Sequence, residues 1–286
     1  RRVLFRSTFS IRKVGSNCGA IGQKSIKYVN GAVYWMAEAG GFFVYDGTVK
    51  SLPCSVEDFV FTTKNGNNLG INYQNGESVY AGLNSLYEEL CWYYPKSGSN
   101  FNDRYVCFNY QDGTWVTGSL SRTTWVDANL YDHPYATEFT STGTPSFPVI
   151  QGVTNTNGST KYYAHERGVD NVDSEGAKTA IPAFIESGDF SLSVEGEGQM
   201  FISMRRFIPD FKTIQGDAQV TILLRDFPAD NETSSPLGPF TVTSSTRKVD
   251  TRARARFASL KIANTSTEQN WRFGTFRADV QPDGMR

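Results

Sequence analysis

Three arginines at alternate positions form the pattern in this chain that is best suited to charge-based recognition. Residues 251–257 place Arg252, Arg254 and Arg256 at every second position, and Arg247 lies shortly before them. Because side chains two positions apart share one face of a strand, the three guanidinium groups are predicted to form a row. Like charges in a row repel unless they meet carboxylates, phosphates or a partner chain. The row therefore predicts an intersubunit interface, a contact with nucleic-acid phosphate, or a solvated edge that resists aggregation.

The charge balance of the chain favours carboxylates as the partners of this row. The formal net charge is −1 at pH 7, whereas a dedicated nucleic-acid binder would show a basic excess. A protein that only lets DNA pass needs no such excess, since an adhesive wall would hinder sliding. We expect the arginines to pair with carboxylates of the same or a neighbouring subunit, and Asp210, Asp250 and Asp279 are the candidates within the chain.

Residue types that carry catalysis are sparse, and we predict no catalytic residue. His133 precedes a proline in a predicted turn, and His165 stands beside Glu166 with no neighbouring nucleophile, so we expect an ordinary strand residue there. No glycine-rich phosphate loop follows a strand and opens a helix, so no nucleotide cofactor is indicated.

Two pairs of carboxylates have a spacing that could serve glycan hydrolysis. These are Glu186 with Asp189 and Glu195 with Glu197. Two carboxylates flanking a glycosidic bond are the usual machinery of that reaction, but the same spacing is also found on solvated strand edges. A glycan hydrolase is therefore the third interpretation of this chain, behind a structural protein and a binding module.

Metal-binding patterns are also missing from the sequence, and we predict no metal. Cys18, Cys54, Cys91 and Cys107 lack the short paired spacing of a zinc site, and we expect buried reduced thiols. Cys91 and Cys107 lie in candidate neighbouring strands, where a disulfide could form but is not needed in a chain of this length. The acidic stretch 170–176 resembles a calcium loop only weakly, because it lacks the alternate acids and the terminal glutamate.

Two similar segments indicate the elements that position these residues. FVYDGTV at residues 43–49 recurs as FNYQDGTW at residues 108–115, and each copy follows another aromatic run. Asp46-Gly47 and Asp112-Gly113 are hairpin signals, because glycine takes positive φ freely and aspartate tolerates it. A repeated four-stranded unit of this size predicts propeller-like blades, and a weaker third copy is expected to begin at Lys161.

The composition agrees with an all-β protein of two domains. The chain has 286 residues, of which 14% are aromatic, with 26 glycines and 11 prolines. We predict propeller-like blades over residues 1–170 and a β-sandwich-like domain over residues 171–286, with a long surface loop over residues 136–160. Residues 1–5 read like the middle of a strand, so we expect the blades to be the end of a longer propeller. No run of about 18 apolar residues predicts a membrane span, and no signal peptide is visible.

Several stretches together resemble the tail nozzle proteins of short-tailed bacteriophages, also called tail tubular protein B, and the related packaged-DNA stabilisation proteins. The stretches that resemble the end of those proteins are MRRFIPDF at 204–211, TRARAR at 251–256, WRFGTFR at 271–277 and QPDGMR at 281–286. Those that resemble their propeller region are YYP at 93–95, NDRY at 102–105 and YQDGTW at 110–115. The pattern consists of strand and turn residues and covers most of residues 30–286. The chain is short for a nozzle protein.

The resemblance implies a non-enzymatic structural protein of the virion. A nozzle is a homohexameric ring below the portal and adaptor rings, and it closes the distal channel before infection and opens for DNA ejection. The implied partners are other copies of the chain, the tail adaptor protein, the tail fibres or needle, and the phage DNA in the channel. Packaged-DNA stabilisation proteins plug the same position, and the sequence does not separate the two roles.

The alternative function is a carbohydrate- or receptor-binding module of a tail fibre or spike. Exposed aromatic side chains could stack on sugars, and the candidates are Trp92, Tyr93, Tyr94, Trp115 and Trp125. Buried blade strands need the same residues, so the core assignment is favoured.

Overall fold

A computed structural model of the chain describes residues 12–61, 70–129, 131–141, 158–173, 175–191, 200–227 and 236–284. The fold is all-β and consists of several small antiparallel sheets, as the composition predicts. The chain divides into two compact units, Arg1–Arg167 and Gly168–Arg286. Among the described residues, no helix combines the length and the apolar character that crossing a membrane requires.

The described residues of the first unit form three antiparallel sheets, in which each strand pairs with its neighbour in sequence. The first sheet consists of β1 Ile26–Val29, β2 Ala32–Met36, β3 Phe42–Tyr45 and β4 Val49–Leu52. The second consists of β5 Tyr80–Asn84, β6 Glu89–Tyr94, β7 Arg104–Asn109 and β8 Trp115–Gly118. The third consists of β9 Thr124–Val126, β10 Tyr135–Ser141 and β11 Gly158–Ala164. The described helical elements are α1 Glu57–Phe61 and the 3-10 turns Gln23–Ser25 and Tyr73–Ser78.

The two Asp-Gly pairs occupy the same place in the two four-stranded sheets. Each lies in the connection between the third and the fourth strand, and Gly47 and Gly113 have φ of 117° and 73°. The connections differ in length. Tyr45 pairs with Val49 around a three-residue turn, whereas the second turn is closed by the Gly113 N–H donating to the Asn109 carbonyl. The repeat therefore preserves the order of the strands and the positive φ of the glycine, whereas the length of the turn differs between the two copies.

Replacing Gly47 or Gly113 by valine should lower the free energy of unfolding by about 1–3 kcal/mol, because a β-branched residue at positive φ is strained. No heavy atom would lie within 4 Å of a Cβ at either position, so the cost should come from the backbone alone. Chemical denaturation monitored by circular dichroism measures the change. Gly19→Val is the control, since its surroundings are equally open and its φ is not positive. An equal loss at all three positions would contradict the explanation.

Two predicted segments differ from the structure. Lys161 lies in β11, the last strand of the third sheet, so it does not begin a third copy of the unit. Residues 136–160 are not one surface loop, because β10 and β11 occupy both ends of that segment and pair over seven residues. Its many threonines suit a strand as well as a loop, which explains the error. The remaining residues 142–157 lie outside the described ranges, as do residues 1–11 and the candidate pair Glu195 and Glu197.

Aromatic side chains fill the space between the first two sheets. The ring of Phe42 on β3 lies 4.8 Å from that of Trp92 on β6 and 4.7 Å from that of Trp115 on β8. The indole N–H of Trp92 donates to the Ser25 carbonyl at 2.8 Å. One apolar core therefore joins the two sheets.

The aromatic residues proposed for sugar stacking belong largely to the interior. The side chains of Trp92, Tyr93, Tyr94 and Trp125 are buried, and Trp115 is half-buried against Phe42 and Phe108. These five residues therefore do not form the exposed aromatic surface that sugar binding would need. At these strand positions, the aromatic side chains stabilise the core by apolar burial and are not displayed for stacking on a sugar.

The first strands of the three sheets are neighbours in space. β1 lies against β5, and β5 lies against β9. The second and third sheets share a smaller core formed by Cys91, Tyr93, Cys107, Trp125 and Ala136. The three sheets therefore follow one another in the order of the sequence, with their first strands together.

The second unit is also built from antiparallel strands. These are β12 Asp170–Val172, β13 Lys178–Ala180, β14 Phe184–Glu186, β15 Ile202–Ile208, β16 Phe211–Gln215, β17 Asp217–Arg225, β18 Pro236–Thr243, β19 Val249–Ala255, β20 Phe257–Ala263, β21 Asn270–Phe273 and β22 Arg277–Pro282. The sheets have the orders β14-β20-β17-β18, β19-β15-β22, β12-β13 and β16-β21. The first two sheets contribute side chains to one apolar core, in which Met204 and Phe207 of β15 meet Val220 and Ile222 of β17.

Candidate functional site

The arginine row lies on the outer side of β19. Burial alternates along this strand: Thr251, Ala253 and Ala255 are buried, whereas Arg252 and Arg254 are exposed. The period of two arises because alternate side chains point to opposite faces of the sheet. The small residues pack on the core and leave the guanidinium groups outside.

Arg256 departs from the predicted row. It lies in the bend between β19 and β20 and is half-buried, and its Nε atom is buried without a hydrogen-bond partner among the described residues. Its guanidinium carbon lies 4.9 Å from the ring of Phe201 and 5.6 Å from that of Phe227. Arg247 is exposed in the connection before β19, apart from the row.

Among the described residues, Asp283 is a carboxylate that pairs with the row. The Nε of Arg254 donates to its Oδ2 at 2.7 Å, and the guanidinium carbon lies 4.0 Å from the centre of the Phe201 ring. Phe201 therefore faces two arginines, and its ring and the Asp283 charge offset their repulsion. Arg252 makes no ion pair within the described part of the chain. Arg252 is thus an exposed cation beside Arg254, which is stacked and paired, and it can contact an anionic surface of a partner.

The row pairs with a carboxylate of the same chain at Arg254, as expected, but the three named candidates bind other cations, so the choice of partners is wrong. Asp210 pairs with Arg277 at 3.1 Å, Asp250 with Lys248 at 3.1 Å, and Asp279 with Arg206 at 3.4 Å. The register across β15 brings Arg206 opposite both Asp250 and Asp279, and this register could not be read from the sequence. Asp283 is near Arg254 because it follows β22, which pairs with the same central strand.

A second charged cluster is enclosed within the first unit and centres on Arg122. This side chain is buried, and its Nε donates to His165 Nε2 at 2.8 Å while Nη1 donates to the Ser121 carbonyl. The Glu138 carboxylate lies 3.6 Å away, and the guanidinium carbon lies 4.0 Å from the centre of the Tyr163 ring. Arg122 thus joins the loop before β9 to β10 and to the end of β11.

The geometry makes His165 a poor general base, although it is not the ordinary strand residue that we expected. Its Nε2 lone pair accepts the hydrogen bond from Arg122, and its ring lies 4.6 Å from that of Trp125. Burial, followed by the positive charge of Arg122, lowers the pKa of His165 to about 4. A neutral histidine that is already hydrogen-bonded stabilises the packing of the sheet and has no free lone pair at Nε2 for proton abstraction.

Two carboxylates lie beside Asn84 at the edge of the second sheet, the half-buried Glu89 and the exposed Glu166. Burial raises the pKa of Glu89 and of Glu166, and the charge of Glu166 raises that of Glu89 further. Glu166 accepts a hydrogen bond from Asn84 Nδ2 at 3.0 Å, and its backbone φ is 57°. These groups favour protonation or a cation nearby.

Acidification should destabilise the chain more strongly than it destabilises a His165→Gln variant. The folded pKa of about 4 lies below the unfolded value of 6.5, so the unfolded chain binds more protons between these values. Stability from His165 is therefore full above about pH 6.5 and is lost as the pH falls towards 4, by at most about 1.4 kcal/mol per pH unit. Glu89, Glu138 and Glu166 are common to both proteins, and glutamine still accepts from Arg122. Denaturation between pH 4 and pH 7 measures the difference, and parallel profiles would contradict the assignment.

The other carboxylate and acidic motifs within the described residues have structural partners. Glu186 pairs with Lys261 at 3.3 Å, and Asp189 pairs with Arg225 at 3.1 Å, so each carboxylate of this pair already has a cation. Asp173 Oδ1 accepts from the N–H groups of Glu175 and Ala177 and closes the turn between β12 and β13. The acidic stretch is therefore a hairpin connection.

The cysteines differ from the expected set of reduced thiols. Cys91 and Cys107 face each other across β6 and β7 and form a disulfide, whereas Cys18 and Cys54 are free and half-buried. The sequence placed the pair in neighbouring strands, but only the register puts the sulfurs opposite each other.

Sequence reasoning missed Arg122, which holds the enclosed cluster together, and Asn84, which binds Glu166 beside it. Arg122 lies in a loop between β8 and β9 without periodicity, and Asn84 closes a strand where asparagine usually marks a turn. The adjacent His165 and Glu166 were the one signal available. Among known proteins, no family model matches this chain and no curated protein matches it.

Proposed function

We propose that this chain is a non-enzymatic structural protein of a bacteriophage tail, which forms the distal nozzle channel that retains the genome and releases it during ejection. The observation that carries the proposal is the succession of antiparallel four-stranded meanders with an Asp-Gly turn between their third and fourth strands. This supports the sequence resemblance to nozzle proteins, whose propeller would supply such meanders as blades.

The spatial order of the three sheets supports the assignment of blades. In a propeller, blades follow one another around a central channel, and the first strand of each blade lies beside that of the next. β1, β5 and β9 are neighbours in this way, and the first two sheets pack on each other through Phe42 and Trp92. We propose that residues 1–170 form propeller-like blades and that residues 171–286 form a sandwich-like domain.

The exposed part of the arginine row supports assembly into a ring. Arg252 projects from a strand whose other face is core and is exposed beside the paired Arg254, so it can meet a neighbouring copy. We propose a homohexamer that contacts the tail adaptor protein and the tail fibres or needle and lets phage DNA pass. A packaged-DNA stabilisation plug would use the same architecture at the same position in the virion.

The proposal is tested by the oligomeric state of the purified chain. Native mass spectrometry and negative-stain microscopy should show a closed ring, and Arg252→Ala with Arg254→Ala should shift it towards monomers. Arg277→Ala is the matched control, since it removes an exposed, paired arginine from the same unit. A monomer throughout the micromolar range, with no ring in virions, would overturn the proposal. Normal assembly with an altered rate of DNA release would instead place the row at the channel.

One observation favours the receptor-binding alternative. Tyr162 is 67% exposed and stacks on Tyr135, whose ring meets Tyr131 edge to face. Stacked exposed tyrosines suit a sugar face. Binding on a glycan array that is lost in Tyr162→Ser, without any ring, would favour this function over the nozzle.

A further inference from the structure

Three metal-ligating side chains share one face of the second sheet. Cys91 and Cys107 are directly opposite in the pairing of β6 with β7, and Glu89 lies two positions before Cys91 on the same face. The two Sγ atoms and a Glu89 carboxylate oxygen all lie within 4.8 Å of one another. Both cysteines are buried and Glu89 is half-buried, so the cluster can be reached from the glutamate side.

An unpartnered oxygen on the neighbouring strand is a second and independent feature of this cluster. Asn84 is opposite Glu89 in the pairing of β5 with β6, so its side chain shares the face of the cluster. It is only 3% exposed, and its Oδ1 is buried without a hydrogen-bond partner among the described residues. Its Nδ2 is already used by Glu166, which fixes the orientation of the amide. A buried carbonyl oxygen without a donor is costly and is usually explained by an ion or a water.

We propose that the reduced Cys91–Cys107 pair, together with Glu89 and Asn84, binds one divalent cation of the zinc type. Zinc accepts thiolate sulfur and carboxylate oxygen in tetrahedral sites, and thiolates exclude the harder cations magnesium and calcium. The two sulfurs and the Glu89 oxygen supply three ligands, and Asn84 Oδ1 supplies the fourth. The cation also offsets the repulsion between the neighbouring carboxylates of Glu89 and Glu166.

The disulfide and the metal site exclude each other, so the cluster has two chemical states. A dithiol reductant delivers two electrons and two protons: the bond between the two Sγ atoms breaks, two thiols form, and the reductant becomes a disulfide. Each thiol then releases its proton to solvent as the cation binds. The inference does not depend on the tail function, because ring formation and metal uptake are measured separately.

The test uses the full chain, reduced with dithiothreitol and freed of it under anaerobic conditions. Competition with a chromophoric zinc indicator should show one equivalent of bound Zn²⁺, and Cd²⁺ should give a thiolate charge-transfer band. The oxidised chain should bind neither ion. Cys18→Ser with Cys54→Ser is the matched control and should bind as the wild type does.

Two sets of variants assign the ligands. Cys91→Ser with Cys107→Ser should abolish uptake, whereas Glu89→Gln should weaken it by at least about tenfold while leaving both sulfurs in place. Should the cysteine variant fail to fold, the glutamate variant still decides the matter, since its fold can be checked by circular dichroism. No stoichiometric uptake by the reduced chain, or undiminished affinity in folded Glu89→Gln, would overturn the proposal.

Discussion

Replacing Trp92 by alanine should lower the free energy of unfolding by about 3–5 kcal/mol, the largest single loss that we expect in the first unit. Its side chain is fully buried between the first two sheets, in ring contact with Phe42 and Trp115. Truncation removes that contact area and leaves a cavity that rigid sheets cannot close by moving together. Urea denaturation monitored by circular dichroism measures the loss.

The contribution of the indole hydrogen bond can be separated from that of packing. Trp92→Phe keeps a ring between the sheets but leaves the buried Ser25 carbonyl without its donor, which should cost about 1–3 kcal/mol. Tyr28→Ala is the control, since that side chain is 66% exposed and its loss should stay within about 0.5 kcal/mol. Similar stabilities for Trp92→Ala and Tyr28→Ala would show that the two sheets do not pack in solution as described.

Replacing Arg122 by methionine should be nearly as damaging, with a loss of about 3–5 kcal/mol. Methionine retains much of the apolar stem of arginine, so the loss of stability measures mainly the contribution of the guanidinium group. The substitution deprives Glu138 of this cation and leaves His165 Nε2 without the Arg122 donor. It also replaces the contact between the guanidinium and the Tyr163 ring by a contact with an uncharged side chain. The loss of stability should lie at the lower end of this range, because the Glu138 side chain is 20% exposed and water can partly solvate its charge.

A double variant distinguishes the loss of a charge partner from a general disturbance of the loop. Glu138→Gln in the Arg122→Met background should recover part of the stability, because it removes the carboxylate that lost Arg122. Arg104→Met is the matched control, since that arginine donates to Ser119 at the surface. If Arg104→Met costs as much as Arg122→Met, the enclosed cluster has no special role.

The local rules of turns and strands were sufficient for much of the architecture. Asp46-Gly47 and Asp112-Gly113 predict tight turns because glycine adopts positive φ without strain, and both glycines do so. The aromatic runs before them predict strands, and the alternation at residues 251–255 predicts an exposed and a buried face for β19. Each of these inferences depends on a period of two or on a single dihedral angle, which a few adjacent residues determine.

Register and sheet packing decided the rest, because they join residues far apart in the chain. Arg254 pairs with Asp283 and not with Asp210, Asp250 or Asp279, since β19 and β22 flank the same strand. Cys91 meets Cys107 because no residue shifts the pairing of β6 with β7. His165 reaches Arg122 because β9 and β11 both pair with β10, whereas Glu166 reaches Asn84 only when the third sheet covers the second. A one-residue slip would put Arg254, Cys91 or Cys107 on the face opposite to its partner, and nothing in the local sequence sets that register.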